Sequence, residues 1–383
     1  MSGLTPRERV KIALEHQEAD RVPVALGGGP YGVVDALYFN LLEYFDLGQP
    51  VAPFRTGHNI SYIDDRLLEK LGIDTRYVWP GASPSSPIQE VEGTDTFLDG
   101  FGQVWKRALP YYYPGEGILS GASRVEQIDE IVEWPDVDNP RWTAGVREQA
   151  RSLGEAGEHY VVGRMVVSHG PFQTACDLRG TENFLMDMAT NEEYAGHLLD
   201  RVGDTIVGLI QGYLQAGGQY FDMLELPGDD YAGNTNLVIS PRMFRAYIKP
   251  ILKRMVETVK DFRAEIKVML HSDGMIGKLL PDLVEIGVDV IHPLEPLAGV
   301  DLAGIKQEFG ERLSFLGGID ISHAMPGTVE DVRAEARLRI AQLGAGGGYI
   351  LAPANHLQAD IPPGNVIALF EAAREFGRYP LER

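Results

Sequence analysis

A chain of 383 residues is long enough for one large domain or two smaller ones, with an ample core. Its 34 Lys and Arg against 55 Asp and Glu leave a formal net charge of −21. That argues against nonspecific nucleic-acid binding and against attraction to anionic membranes, because both need concentrated cationic side chains. The one cysteine, Cys176, excludes an intrachain disulfide and any multi-thiolate zinc or iron–sulfur centre built from this chain alone.

Residues 1–9 carry charged side chains with no apolar run behind them, and no apolar stretch reaches the roughly 20 residues a bilayer span needs, so a soluble, cytoplasmic protein is expected. Thr5-Pro6-Arg7-Glu8 reads as a capping box with proline at the first helical position, opening a helix to about residue 18. VPVAL (22–26) reads as a short buried strand running into Gly27-Gly28-Gly29-Pro30. Residues 30–115 are rich in Pro, Gly and Tyr, with helical patterns near 33–46 and 64–71 and hairpin material near 88–107, and form an elaborated N-terminal section.

From residue 140 the rhythm becomes regular. Helix 141–156 leads to strand YVVGRMVV (160–167), and helices 181–188 and 191–216 lead to YFDMLEL (220–226). Helix 241–262 leads to EIKVMLHS (265–272), helix 275–286 to VDVIHPL (288–294), and helix 301–309 to RLSFLGGID (312–320). Helix 328–344 leads to YILAP (349–353), and helix 363–376 closes the chain. Apolar strands alternating with helices imply a parallel sheet. With no G-x-G-x-x-G and no G-x-x-x-x-G-K-[ST] in the chain, a closed (β/α)8 TIM barrel is expected, as a single domain over 1–383.

The active site of such a barrel lies on the loops after the strands. Here those positions hold His169, Glu225 with Asp229 and Asp230, His271 with Asp273, His292 with Glu295, Asp320, and Asn355 with His356. His271, Asp273, Glu225, Asp229 and Asp230 are the candidate catalytic groups. His271, Asp273, Glu225 and His356 are a nitrogen and oxygen ligand set suited to Zn²⁺. The same groups also suit metal-free acid–base chemistry, since clustered carboxylates raise one another's proton affinity. Plainer roles exist beside these. Asp273, just ahead of Gly274 and a helical pattern, suits a helix N-cap, and Asp229-Asp230 suits a turn cap. A histidine after a strand, such as His169 or His292, often only bonds a nearby carbonyl. Tyr111-Tyr112-Tyr113 reads as packing and rim.

LHSDGMIGKLLPDLVEIGVDVIHPLEP, then LSFLGGIDISHAMPGT and GGGYILAPANHLQADIPPGNVIALFEAAREFGRYP, together resemble the uroporphyrinogen decarboxylase superfamily. The resemblance extends upstream through GPFQTACDLRGTENFLMDMATNEEY and ISPRMFRAYIKPILKRM, and more loosely to TPRERVKIALEHQEADRVPV. It implies a (β/α)8 barrel. The decarboxylases of this superfamily carry an R-x-A-G-R-Y segment that holds substrate carboxylates, whereas this chain has no arginine between Arg21 and Arg55. The corrinoid-linked thiol methyltransferases carry a zinc-binding His-x-Cys pair and a later cysteine. Here the pair becomes His271-Ser272-Asp273, and the later cysteine falls near Asn355.

The resemblance therefore implies a methyltransferase or demethylase. It would act on a methoxylated or N-methylated small molecule and pass the methyl group to a corrinoid (cobalamin) on a partner protein, since no D-x-H-x-x-G motif occurs in the chain. Zn²⁺ at His271, Asp273, His356 and Glu225, substrate contacts from Tyr31, His169, His292 and Asn355, an aromatic wall from Tyr31, Trp79, Trp105 and Tyr112, and a homodimer belong to the same expectation. The alternative is a carboxy-lyase acting on a carboxylated substrate without a cofactor.

Overall fold

The apolar runs pair with one another in chain order. In a computed structural model describing residues 3–55, 58–86, 89–91, 94–108 and 111–381, seven parallel strands lie side by side. They are Thr75–Val78 (β1), Tyr160–Gly163 (β2), Met223–Glu225 (β3), Lys267–His271 (β4), Val290–His292 (β5), Ser314–Ile319 (β6) and Tyr349–Pro353 (β7). Their side chains are almost all buried, as expected for strands covered on both faces. Register matters at one point in particular: His271 is paired with His292 across β4 and β5.

The sheet curls until its edges meet a common segment, residues 23–25. Leu351 N donates to Pro23 O (2.9 Å) and Ala25 N to Leu351 O (3.0 Å) on one side, while Asp74 N donates to Val24 O (3.0 Å) on the other. The segment expected as the first strand thus closes the barrel, although its regular pairing is limited to a single bridge from Val24 to Leu351. Asp74 fastens this seam. Its buried carboxylate accepts from Val24 N, from Arg9 Nη1 (2.6 Å) and from both Nη atoms of Arg21. Two guanidiniums and a backbone donor compensate the buried charge.

Helices follow most strands. The capping box at Thr5 and Glu8 forms as expected, but the helix is Pro6–Leu14 and stops short because His16 takes a left-handed φ of 56°. The expected helix 141–156 is broken at Gly145 (φ 76°), leaving a short 3₁₀ turn Pro140–Thr143 before Val146–Ala156. Pro250 and Pro281 interrupt two further helices, each beginning a new α segment after a π or 3₁₀ turn. The expected hairpin near 88–107 is part of a four-stranded antiparallel sheet, Gln89–Glu90, Thr96–Leu98, Val104–Ala108 and Tyr111–Pro114. Residues 88, 92 and 93 of that expectation lie outside the described residues, as does the side chain of Tyr111. This sheet covers one side of the barrel mouth. Among the described residues no helix is long and apolar enough to cross a membrane.

Candidate active site

At the carboxyl ends of the strands lies a cavity of about 490 Å³, walled by Trp105, Tyr112 and Phe97 of the antiparallel sheet and by His169, Asp230, His271, Asp273, Asn355 and His356 of the barrel. A smaller space of about 280 Å³, with Trp79 and Phe54 in its wall, shares Arg55, His58, Met165 and Ser168 with it. Of the expected aromatic wall, Trp105 and Tyr112 border the larger cavity, Trp79 borders the smaller space, and Tyr31 borders neither.

The protons on two histidines are fixed by the backbone. His292 is fully buried, and its Nε2 lies 3.2 Å from the carbonyl oxygen of Pro353. A carbonyl only accepts, so His292 Nε2 carries the hydrogen and its Nδ1 is left as an acceptor. His271 Nδ1 lies 2.8 Å from His292 Nδ1 and must therefore donate. In the neutral ring the lone pair of His271 is on Nε2, which lies 3.7 Å from Asp273 Oδ1 and 3.9 Å from Asp230 Oδ1. Burial and the neighbouring His271 hold His292 well below the ordinary histidine range, which keeps it neutral in this chain.

Three acceptor atoms converging on one point repel one another unless a cation or proton lies between them. Asp273 Oδ1 is buried and has no hydrogen-bond partner, while its Oδ2 accepts from Asn355 Nδ2 at 2.7 Å. Asp230 accepts from Asp273 N at 2.9 Å. Burial raises the Asp273 carboxyl to about 6, with Asp230 and Glu295 adding to the rise and His271 opposing it. Ligand atoms of Asp230, His271 and Asp273 all lie within 4.8 Å of one another. One imidazole nitrogen and two carboxylate oxygens, with a fixed histidine tautomer and an orphaned oxygen, fit a divalent ion such as Zn²⁺. Asp273 does not serve as a helix cap, since the oxygen it would use has no donor.

The expected ligand set is corrected in two places. Glu225 is buried and spends its carboxylate on Gly29 N and Tyr31 Oη, both at 2.8 Å. Burial raises its pKa, against the pull of Arg164. The backbone passes so close here that a Cβ on Gly28 would lie 2.1 Å from Tyr31 Cζ and 2.5 Å from Glu225 Oε1. His356 Nδ1 accepts from Gly32 N at 3.1 Å, so its proton sits on Nε2 and it offers a donor to the cavity in place of a ligand lone pair. Asp230 takes the third place in the cluster.

Other expected site residues are dispersed. Asp229 is buried behind the wall and accepts from Phe172 N (2.9 Å), Gln173 N (2.8 Å) and Tyr231 Oη (3.0 Å), capping helix Pro171–Arg179. Burial pushes its carboxyl up to about 7. Tyr31 and His292, expected at the substrate, are fully buried and packed on each other with ring centres 5.0 Å apart. Asp320 caps its own loop at Ser322 N and His323 N, and Glu295 accepts from Gly274 N. His169 and Asn355 do border the cavity. His169 Nδ1 meets Asp177 Oδ2 at 2.6 Å; burial disfavours its charge, but Asp177 outweighs that and raises its pKa.

Sequence reasoning missed Arg55, His58 and Arg164. Arg164, a lone charge inside the apolar run YVVGRMVV, was the signal available. Burial and then Arg164 hold Arg55 well below its ordinary value, while burial and then Arg55 do the same to His58 and His356. Arg55 is thus the cation on the wall of the cavity that holds the acidic cluster, and Arg164 lies beside it in the smaller space.

The sequence pattern of the family described as uroporphyrinogen decarboxylase (URO-D) matches residues 122–376. The uroporphyrinogen decarboxylase of Pseudomonas paraeruginosa is 23% identical over 279 residues, covering 69% of this chain and 73% of that one. The chloroplastic uroporphyrinogen decarboxylase 2 of Oryza sativa subsp. japonica is 26% identical over 235 residues, 60% of this chain and 54% of its own. A solved structure, a methyltransferase from Methanosarcina mazei, superposes with a TM-score of 0.63 over 97% of this chain and 99% of that one at 20% identity, a likeness of fold.

Proposed function

Because this chain belongs to the uroporphyrinogen decarboxylase family, whose matched relatives are enzymes, we propose that it is a methyltransferase. It takes a methyl group from a methoxylated or N-methylated small molecule and delivers it to a corrinoid on a separate protein. The observation that carries this reading is the convergence of His271 Nε2 with the carboxylates of Asp230 and Asp273. The fold shared with a methyltransferase from Methanosarcina mazei agrees with it.

His271, Asp273 and Asp230 would hold a divalent ion such as Zn²⁺, which supplies Lewis acidity to the oxygen or nitrogen that leaves the methyl carbon. The chain's own residues prepare that point. His292 fixes the tautomer of His271. Asn355 restrains Asp273 through Oδ2, which leaves Oδ1 aimed at the cluster. Trp105 and Tyr112 line the cavity from the antiparallel sheet. His169, backed by Asp177, holds a proton at the cavity edge.

Metal analysis of the purified protein tests the reading. One divalent ion per chain is expected, absent from His271→Ala, together with methyl transfer to reduced cobalamin from methoxylated donors in the metal-loaded protein. A carboxy-lyase is the second reading, favoured by one observation: Asp273, raised to about 6, retains proton-donating capacity near neutrality. Metal-free wild type and CO₂ release without a partner would decide for it.

A further inference from the structure

We propose that Arg55 and Arg164 form a subsite for a carboxylate carried by the substrate, in the smaller space that adjoins the cavity of His271. The inference rests on reading this cavity as the substrate site, and adds the substrate's chemical class.

Arg164 is 3% exposed; its Nη2 donates to Gly28 O at 3.2 Å, and its buried Nε has no partner. Arg55 spends Nε on Ile60 O at 2.7 Å. Neither guanidinium forms an ion pair with a carboxylate among the described residues, in a chain with 55 acidic side chains. Both lie over the same ring, Phe54, with Cζ atoms 5.2 and 4.6 Å from its centre. Two cations against one ring repel each other, and a buried guanidinium with no carboxylate partner and an unsatisfied N–H costs free energy. Arginine pairs left open in a cavity recover that cost when a planar anion binds, through charge-assisted and bidentate hydrogen bonds.

The carboxylates that act on these groups, Glu225 on Arg164 and Asp35 on Arg55, hold donors of their own: Tyr31 and Gly29 for Glu225, Ser61 for Asp35. Their field offsets part of the positive charge, so what is left suits a monoanion. The neighbours Trp79, Met165 and Phe54 supply an apolar floor, and neutral His58 stands beside them. Neither arginine lies in segment 24–32, where the family resemblance placed the guanidiniums of the decarboxylases. Arg55 borders both the smaller space and the cavity of the acidic cluster, so a substrate whose carboxylate sits between the two arginines extends past Arg55 toward His271.

Calorimetric titration with benzoate, benzamide and phenylphosphate at pH 7 tests this. Benzoate is expected to bind at least about tenfold more tightly than benzamide and more tightly than phenylphosphate. Arg55→Gln and Arg164→Gln should each erase the benzoate preference, and Arg164→Lys should retain part of it, with melting temperatures confirming folded protein. Chelator treatment should leave benzoate binding unchanged while abolishing methyl transfer, which separates this inference from the proposed reaction. Equal binding of benzoate and benzamide, no binding of either, or tighter binding of phenylphosphate would each overturn it.

Discussion

His271 and His292 stand side by side in register on adjacent strands and share a single proton between their Nδ1 atoms, 2.8 Å apart. The Pro353 carbonyl decides which ring owns it. Replacing His292 by Phe frees the His271 ring to turn and to change tautomer. Metal affinity should fall about 10- to 100-fold, the usual loss when the partner orienting a ligand histidine is removed. Competition against a chromogenic chelator measures it; unchanged affinity would refute the tautomer argument.

Ligand membership makes a sharper distinction. His271→Ala and Asp273→Ala should each abolish stoichiometric metal, whereas Glu225→Gln and His356→Gln should keep it, because those two side chains are committed to Gly29, Tyr31 and Gly32. Elemental analysis of the four variants checks this. Loss of metal from the Glu225 or His356 variant would restore the ligand set expected from sequence.

A pH dependence follows from His169. Burial works against its charge, yet Asp177 at 2.6 Å raises its pKa above the ordinary 6.5. The folded chain then binds that proton more tightly than the unfolded one. The resulting stability is complete below about pH 6.5 and is lost as pH rises through the raised folded value. Asp177→Asn should therefore cost more stability at pH 6 than at pH 9 in urea unfolding. Equal costs at the two pH values would remove the ion pair from the account.

Asp229 is expected to matter for stability and not for metal. Asp229→Ala leaves two backbone N–H groups of helix Pro171–Arg179 without an acceptor, a loss of about 1–2 kcal/mol by denaturant titration. Metal content should stay at the wild-type level. A variant with full stability and no metal would reverse the roles of Asp229 and Asp230.

The barrel strands from residue 160 onward were legible because each is an apolar run between turn residues, and burial on both faces leaves no alternation to decode. Strand Thr75–Val78 was not, since it is four residues long and carries Arg76, whose charge is met by Asp65 only once the chain is folded. Helix Pro171–Arg179 was hidden for a related reason. Its N-cap residue is Gly170, and the capping carboxylate arrives from Asp229, far along the chain. At the site, His271 and Asp273 were readable from their place after a strand. The choice between Asp229 and Asp230, or between Glu225 and the true cluster, depends on which donors each carboxylate meets in space. No spacing rule encodes that.

The seam at Asp74 has a consequence for how the molecule is made. Residues 23–25 are made long before Leu351, whose backbone groups satisfy one of their edges. Until β7 is made, the growing sheet exposes two open margins, each a template for unwanted pairing. Arg9 and Arg21, already tied to the carboxylate beside β1, can hold the early segment against that first strand during the wait. The last strand then docks onto a margin that is already in place.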